Sequence, residues 1–142
     1  MDDNTKTIKI ETSAMAVVIC NGTVLTTVEN IYGKPVLSLP KGHVEDGETA
    51  LDCAIRECFE ETDVKLDGHD AVRELPSYSY GFTTPDGVKI CKTIVPILFV
   101  LQNMPTPRAK EKRMLKAEFM SIGEFVRDCH YDNIRKILEE LI

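Results

Sequence analysis

The stretch Leu39–Val64, LPKGHVEDGETALDCAIRECFEETDV, limits what this chain can be more than any other. A glycine-containing loop, Lys41–Glu48, runs into a segment of helical periodicity. Thr49 stands where an N-cap belongs, with Asp52 three residues on as a weak form of capping box. At about 100° per residue, Glu57 and Glu61 lie one above the other with Glu60 beside them. Ala50, Leu51, Ala54, Ile55, Cys58 and Phe59 are expected on the opposite, apolar face. Three carboxylates in one stripe repel one another. A cation over them relieves the repulsion, and a hard divalent ion is the obvious one.

The rest of the chain reads as strands around this helix, with 1–13 as a lead. Two apolar runs, Ala14–Cys20 and Thr23–Val28, flank Asn21-Gly22, the signal of a type I′ hairpin. Gly33 and Pro35 mark the segment 29–35 as a loop before a short strand Val36–Leu39. Asp63 falls at the helix C-terminus, where aspartate tolerates the left-handed conformation. After a turn at 65–70, Ala71–Phe82 is expected as one strand, with Tyr78, Tyr80 and Phe82 on one face. The turn 83–87 leads to a long β segment, Val88–Leu101, in which Pro96 predicts a bulge or an edge. A Pro- and Lys-rich loop follows, then a strand Lys116–Met120. Ser121 caps a helix to about Cys129, and Asp132 opens an amphipathic helix to Ile142. With no repeat and no linker, the reading is one domain over residues 1–142, an α+β sandwich.

Composition removes several function classes. A chain of 142 residues, 43% apolar and 28% charged, can bury one core and is not disordered. A formal charge of −6 argues against holding nucleic acid by phosphate neutralisation, although a bound metal can reverse the field locally. The polar start lacks a signal-peptide core and no window is long enough to span a membrane, so a cytoplasmic protein is expected. Five cysteines without a CxxC pair fit reduced thiols.

The spacing within the central stretch resembles the signature of the Nudix hydrolases. Gly42, Glu48, Arg56, Glu57, Glu60 and Glu61 match its glycine and polar positions, and Cys58 and Val64 its apolar ones. One position departs: the signature's last glycine is Asp63. The resemblance implies an α/β/α sandwich with a mixed sheet and a pyrophosphohydrolase that uses Mg²⁺ or Mn²⁺. All-oxygen ligation points to these ions rather than zinc, and no Cys/His cluster has zinc spacing. It also implies Glu57 and Glu61 as metal ligands, the carbonyl of Lys41 as another, and Glu60 as a ligand or the base that activates water. Glu57 is the alternative base. Arg56 is expected to hold the glutamates by bidentate pairing and Glu48 to support the loop–helix junction. A merely solvated acidic face is the competing explanation, and it leaves the matching glycine and arginine unexplained.

Outside the signature, Tyr78, Tyr80 and Phe82 are expected either to stack on a base or to pack in the core. Lys92 and Lys89 are candidate phosphate contacts and His43 a candidate substrate contact, with solvated side chains as the alternative. Glu111 or Glu118 could bring a further carboxylate, Cys53 could make the site thiol-sensitive, and His69 and His130 read as surface residues. The opening Leu39–Glu45, with its Pro-Lys-Gly-His run, is most similar to that of diadenosine polyphosphate hydrolases. Tyr78, Tyr80, Lys92-Thr93 and Phe119 fit that group. The expected substrate is therefore a dinucleoside polyphosphate, diadenosine tetraphosphate giving ATP and AMP. ADP-ribose, a modified (d)NTP or an inositol pyrophosphate are the alternatives, as is a sensor module that binds nucleotide without turnover. Small-molecule substrates, no nucleic-acid partner, no membrane and a homodimer complete the expectation.

Overall fold

The computed structural model describes residues 8–141, so the start of the expected lead and Ile142 lie outside the described residues. Eight strands form one mixed sheet: β1 (Ile8–Cys20), β2 (Thr23–Ile31), β3 (Lys34–Ser38), β4 (Lys41–His43), β5 (Ala71–Glu74), β6 (Tyr78–Thr83), β7 (Lys89–Val100) and β8 (Met114–Ser121). Helix α1 (Ala50–Thr62) lies on one face, and α2 (Ile122–Asp128) and α3 (Asp132–Glu139) on the other. This is the expected α/β/α sandwich. Its spine is the parallel pair β1–β7, which runs in register from Ile8↔Lys89 to Ile19↔Val100.

Alternation along β1 builds both cores. Met15 and Val17 join the cluster under α2 and α3, with Val24, Ile94, Leu98, Phe125 and Leu138. Ala14, Ala16 and Val18 face α1 and pack with Cys53, Ala54, Cys58, Val64 and Phe99. The small side chains Ala14, Ala16, Cys53 and Ala54 let the helix lie close to the sheet.

Beside β1, the hairpin partner β2 stays paired only at Ile19↔Val24 and Cys20↔Thr23. Further down, β4 fills the opening by pairing Ser13, Ala14 and Met15 with His43, Gly42 and Lys41. That insertion delivers the loop to the N-terminus of α1. Thr49 caps the helix by accepting the Asp52 N–H at 3.1 Å, and Asp63 ends it with φ 62°, ψ 18°.

Several expected boundaries change. Residues 8–13 are not a lead but the first half of β1, paired with β7. Segment 29–35 is a second hairpin joining β2 to β3, with Tyr32 and Gly33 at its turn in positive φ (50° and 81°). Ala71–Phe82 breaks into β5 and β6 around Pro76. Pro96 sits in a central strand, opposite that break. Its carbonyl accepts the Leu75 N–H at 2.9 Å, so its missing N–H falls on the interrupted side of β7. On α1, Phe59 is exposed, Leu51 and Ile55 are half-buried, and Glu57 and Glu61 are buried. The two glutamates thus lie inside the sheet-facing margin, not on a separate acidic face.

Candidate active site

The site is built on the outer edge of β4. Gly42 exchanges its peptide groups with β1, so Lys41 and His43 turn theirs to the open side. Side chains of α1 fill that edge. The Lys41 N–H donates to Glu61 Oε1 at 3.4 Å, and the His43 carbonyl accepts from Arg56 Nη2 at 3.0 Å. Gly42 sits directly beneath Glu57. A methyl group on its Cα would lie 2.0 Å from the Glu57 carboxyl carbon and 2.1 Å from Oε2. The glycine of the signature is therefore a matter of space, because the carboxylate occupies the room of a side chain.

Arg56 ties the cluster together. Its Nε and Nη2 donate to the two Glu48 oxygens at 2.7 and 3.0 Å, a bidentate pair. Nη1 reaches Glu57 Oε2 at 3.0 Å and Glu60 Oε1 at 3.3 Å. Hydrogen bonding from Arg56, seconded by the Glu45 N–H, drops the Glu48 carboxyl to about 2. That pairing in turn raises Arg56 further above its ordinary value.

Glu57 and Glu61 show the opposite electrostatics. Burial raises both carboxyls, Glu61 to about 7 although Arg113 Nη2 stands 2.9 Å from its Oε2. With Glu48 and Glu60 beside them, these buried carboxylates outnumber the two guanidiniums Arg56 and Arg113, so the ionised cluster carries net negative charge. Among the described residues, however, no three His, Cys, Asp or Glu side chains already converge as a cation cage. Glu60 is the more exposed glutamate and leans on Arg56.

The other face of β4 opens into a cavity of 630 Å³ whose lining includes Lys41, Tyr78, Tyr80, Phe82, Ile94 and Tyr131. The three β6 aromatics form a ladder with ring centroids 6.4 and 6.0 Å apart. Cross-strand pairing sets Lys92 opposite Tyr80 on that face, although Lys92 does not line the cavity. Burial lowers the Lys41 ammonium below its ordinary value. His43 shares the strand face of Lys41 but projects to solvent outside the cavity. Lys89 is exposed.

Other expectations divide. Glu111 approaches the carboxylates through Arg113, which it accepts at 2.9 Å. Glu118 shares a strand face with Met120, away from α1, and pairs with Lys116 at 3.2 Å. Cys53 is fully buried against the Gly42 and His43 carbonyls, and burial raises its thiol to about 11, so the expected thiol sensitivity has no accessible thiolate behind it. His130, read as a plain surface residue, lies on the cavity rim. Two participants had no signal in the sequence: Arg113, one of several cations in a polar loop, and Tyr131, whose place depends on how α3 packs.

A family profile described as the NUDIX domain matches residues 11–141. The chain belongs to the NUDIX family. Its curated NUDIX relatives are longer than it is. It is 31% identical over 115 residues to Nudix hydrolase 12, mitochondrial, of Arabidopsis thaliana, covering 75% of this chain and 52% of that protein. A mutator protein, MutT4 of Mycobacterium tuberculosis, is 44% identical over 62 residues, 44% of this chain and 23% of that protein. In structure the chain is similar to a C. elegans Ap4A hydrolase, with a TM-score of 0.72 over 92% of this chain and 94% of that one at 16% identity. That likeness is one of fold. No helix among the described residues is long and apolar enough to cross a membrane.

Proposed function

We propose that this NUDIX domain hydrolyses a nucleotide phosphoanhydride with the help of Mg²⁺ or Mn²⁺. Its preferred substrate is a dinucleoside polyphosphate, diadenosine tetraphosphate cut to ATP and AMP. The observation that carries the reading is the junction at β4. Lys41 turns its side chain to an aromatic cavity while the next residue, Gly42, seats Glu57, so the cavity meets a carboxylate site across one peptide bond. A purine stacks on the Tyr78–Tyr80–Phe82 ladder. Its phosphates then run past Lys41 towards α1. The Pro-Lys-Gly-His opening at 40–43 supports the dinucleoside polyphosphate among family substrates.

The carboxylate site fits a hard cation. Its side-chain donors are oxygens, Glu57 and Glu61 are buried, and a guanidinium already stands on Glu61. Glu57, Glu60, Glu61 and the Lys41 carbonyl, which shares the open edge of β4, would hold it. When bound, such an ion neutralises phosphate charge and acidifies a water ligand. The protein does the rest. Arg56, anchored by Glu48, fixes the direction of Glu57 and Glu60. Burial raises the Glu57 carboxyl above its ordinary value while the ion is absent, and Glu57 or Glu60 would accept the proton from the attacking water. The aromatic wall holds the leaving nucleotide.

The test is phosphate and nucleotide release, with and without Mg²⁺, from diadenosine tetraphosphate, ADP-ribose, 8-oxo-dGTP, ordinary dNTPs and an inositol pyrophosphate. Mg²⁺-dependent preference for diadenosine tetraphosphate supports the full reading. Preference for another member keeps the chemistry and replaces the substrate. Nucleotide binding without turnover makes the domain a sensor.

A further inference from the structure

Among the described residues, Arg113 is the one guanidinium that reaches the carboxylate site from outside the signature, and nucleotide hydrolysis as proposed gives it no task. Its Nη2 donates to Glu61 Oε2 and to Glu111 Oε1, each at 2.9 Å, and its Nη1 to Glu29. Of these carboxylates only Glu61 is buried. The backbone at Arg113 is fixed as well, its carbonyl accepting the Asn30 N–H at 2.8 Å.

The loop 102–113 that carries it is fastened to α1 at the position where the family signature has glycine. Asp63 pairs there with Arg108 and Lys110, both at 3.3 Å. The Arg108 N–H donates to the Thr62 carbonyl at 2.8 Å, and Lys110 Nζ stands 3.3 Å from the centre of the Phe59 ring. Two departures from expectation, Asp63 in place of the signature glycine and Phe59 exposed rather than on the apolar face, thus serve one purpose. They hold the loop that brings Arg113 to Glu61.

We propose that Arg113 is a positioning residue that acts as the internal counter-cation of Glu61, seated on it before a divalent ion binds and shifted on to Glu29 and Glu111 when one does. A buried carboxylate without a cation is costly, and the guanidinium offsets part of that cost while the ion is absent. Glu61 Oε2 cannot serve both cations fully. Arg113 can give it up because two half-buried carboxylates, Glu29 and Glu111, stay within reach, so it loses one ion pair and keeps two. The inference rests on the assignment of Glu61 to the divalent ion.

Its test is binding of Mn²⁺ alone, read from the free-ion paramagnetic resonance signal. Arg113→Gln removes the competitor and should tighten Mn²⁺ binding on the order of tenfold, with a larger Tm gain on Mn²⁺ addition than wild type shows. Arg113→Lys keeps the charge but not the planar fork, and should also bind more tightly than wild type. An affinity equal to or weaker than wild type in either variant overturns the inference. Should Arg113→Gln not fold, Asp63→Asn decides. It keeps the left-handed helix end and frees the loop, so tighter Mn²⁺ binding supports the proposal and unchanged or weaker binding ends it. Wild-type protein that binds no Mn²⁺ overturns the metal assignment itself, whereas wild-type binding with indifferent variants overturns this inference only.

Discussion

Gly42 has no room for a side chain, and its substitution separates geometry from chemistry. In Gly42→Ala the new methyl group would occupy the Glu57 carboxylate position, so Glu57 must rotate away or β4 must shift. The expected stability loss is about 1–3 kcal/mol, typical of overpacking. The expected loss of kcat/KM is roughly 10²-fold or more, since Glu57 no longer points where Arg56 holds it. Urea unfolding and steady-state kinetics on one preparation check both, and near-wild-type turnover would show that Glu57 is not held by that contact. Glu61 makes a second, pH-dependent prediction. Its carboxyl is raised from 4.5 to about 7 by burial, so between these values the folded metal-free protein binds more protons than the unfolded chain. The stability tied to that difference, about 3 kcal/mol, is present below pH 4.5 and is lost as pH rises through 7. Glu48, lowered to about 2, works in the other direction and only at more acid pH. Unfolding in EDTA at about pH 5 and about pH 8 should show the decline in wild type and a much flatter profile in Glu61→Gln.

At the level of elements, what the sequence showed was what local chemistry decides. The Asn21-Gly22 turn, the Thr49 cap, the Ser121 cap and the Asp63 stop all appear where side-chain chemistry placed them. The signature residues could be read for the same reason: Gly42, Glu48, Arg56 and the three glutamates come from one short stretch, and folding brings Arg56 to Glu48, Glu57 and Glu60. The failures are of a different kind. Tyr32-Gly33 closes a hairpin although tyrosine is a poor residue for positive φ, because the pairing of β2 with β3 imposes it. Residues 8–13 lack an apolar run but extend β1 because β7 offers a parallel partner along its whole length. The burial of Glu57 and Glu61 follows from the insertion of β4, a long-range event with no periodic trace. Asp63 tests this division. Asp63→Gly relieves a left-handed residue by roughly 1 kcal/mol but removes two partly exposed ion pairs worth about as much, so unfolding free energy should change by less than about 1 kcal/mol. Asp63→Val, β-branched at positive φ, should cost clearly more. A large loss in the glycine variant would mean that the loop contributes more to stability than its surface ion pairs suggest.

Across the whole molecule, the sheet separates the two tasks assigned to the site and β4 rejoins them. The aromatic cavity lies on the side of α2 and α3, walled in part by Tyr131 and Ile134. Glu57 and Glu61 lie on the α1 side, where Gly42 meets them. Damage to one core should therefore leave the other task nearly intact. Leu138 is fully buried beneath α3 in the cluster that contains Met15, Ile94 and Phe125. Leu138→Ala should cost about 2–5 kcal/mol by opening a cavity there. It should also loosen the start of α3, which forms one wall of the aromatic cavity, and so raise KM if nucleotide binds there. Tyr80→Ala should raise KM as well, by roughly 5–100-fold if a base stacks on it at about 1–3 kcal/mol, with less effect on stability because Tyr80 is exposed. Neither change reaches α1, so Mn²⁺ affinity and kcat at saturating nucleotide should stay close to wild type. Isothermal titration with Mn²⁺ alone, set beside steady-state kinetics below the melting range of Leu138→Ala, measures the two tasks independently. If Leu138→Ala or Tyr80→Ala weakens Mn²⁺ binding as strongly as it raises KM, the faces are coupled through β4, and the cavity and the carboxylates must be treated as one site.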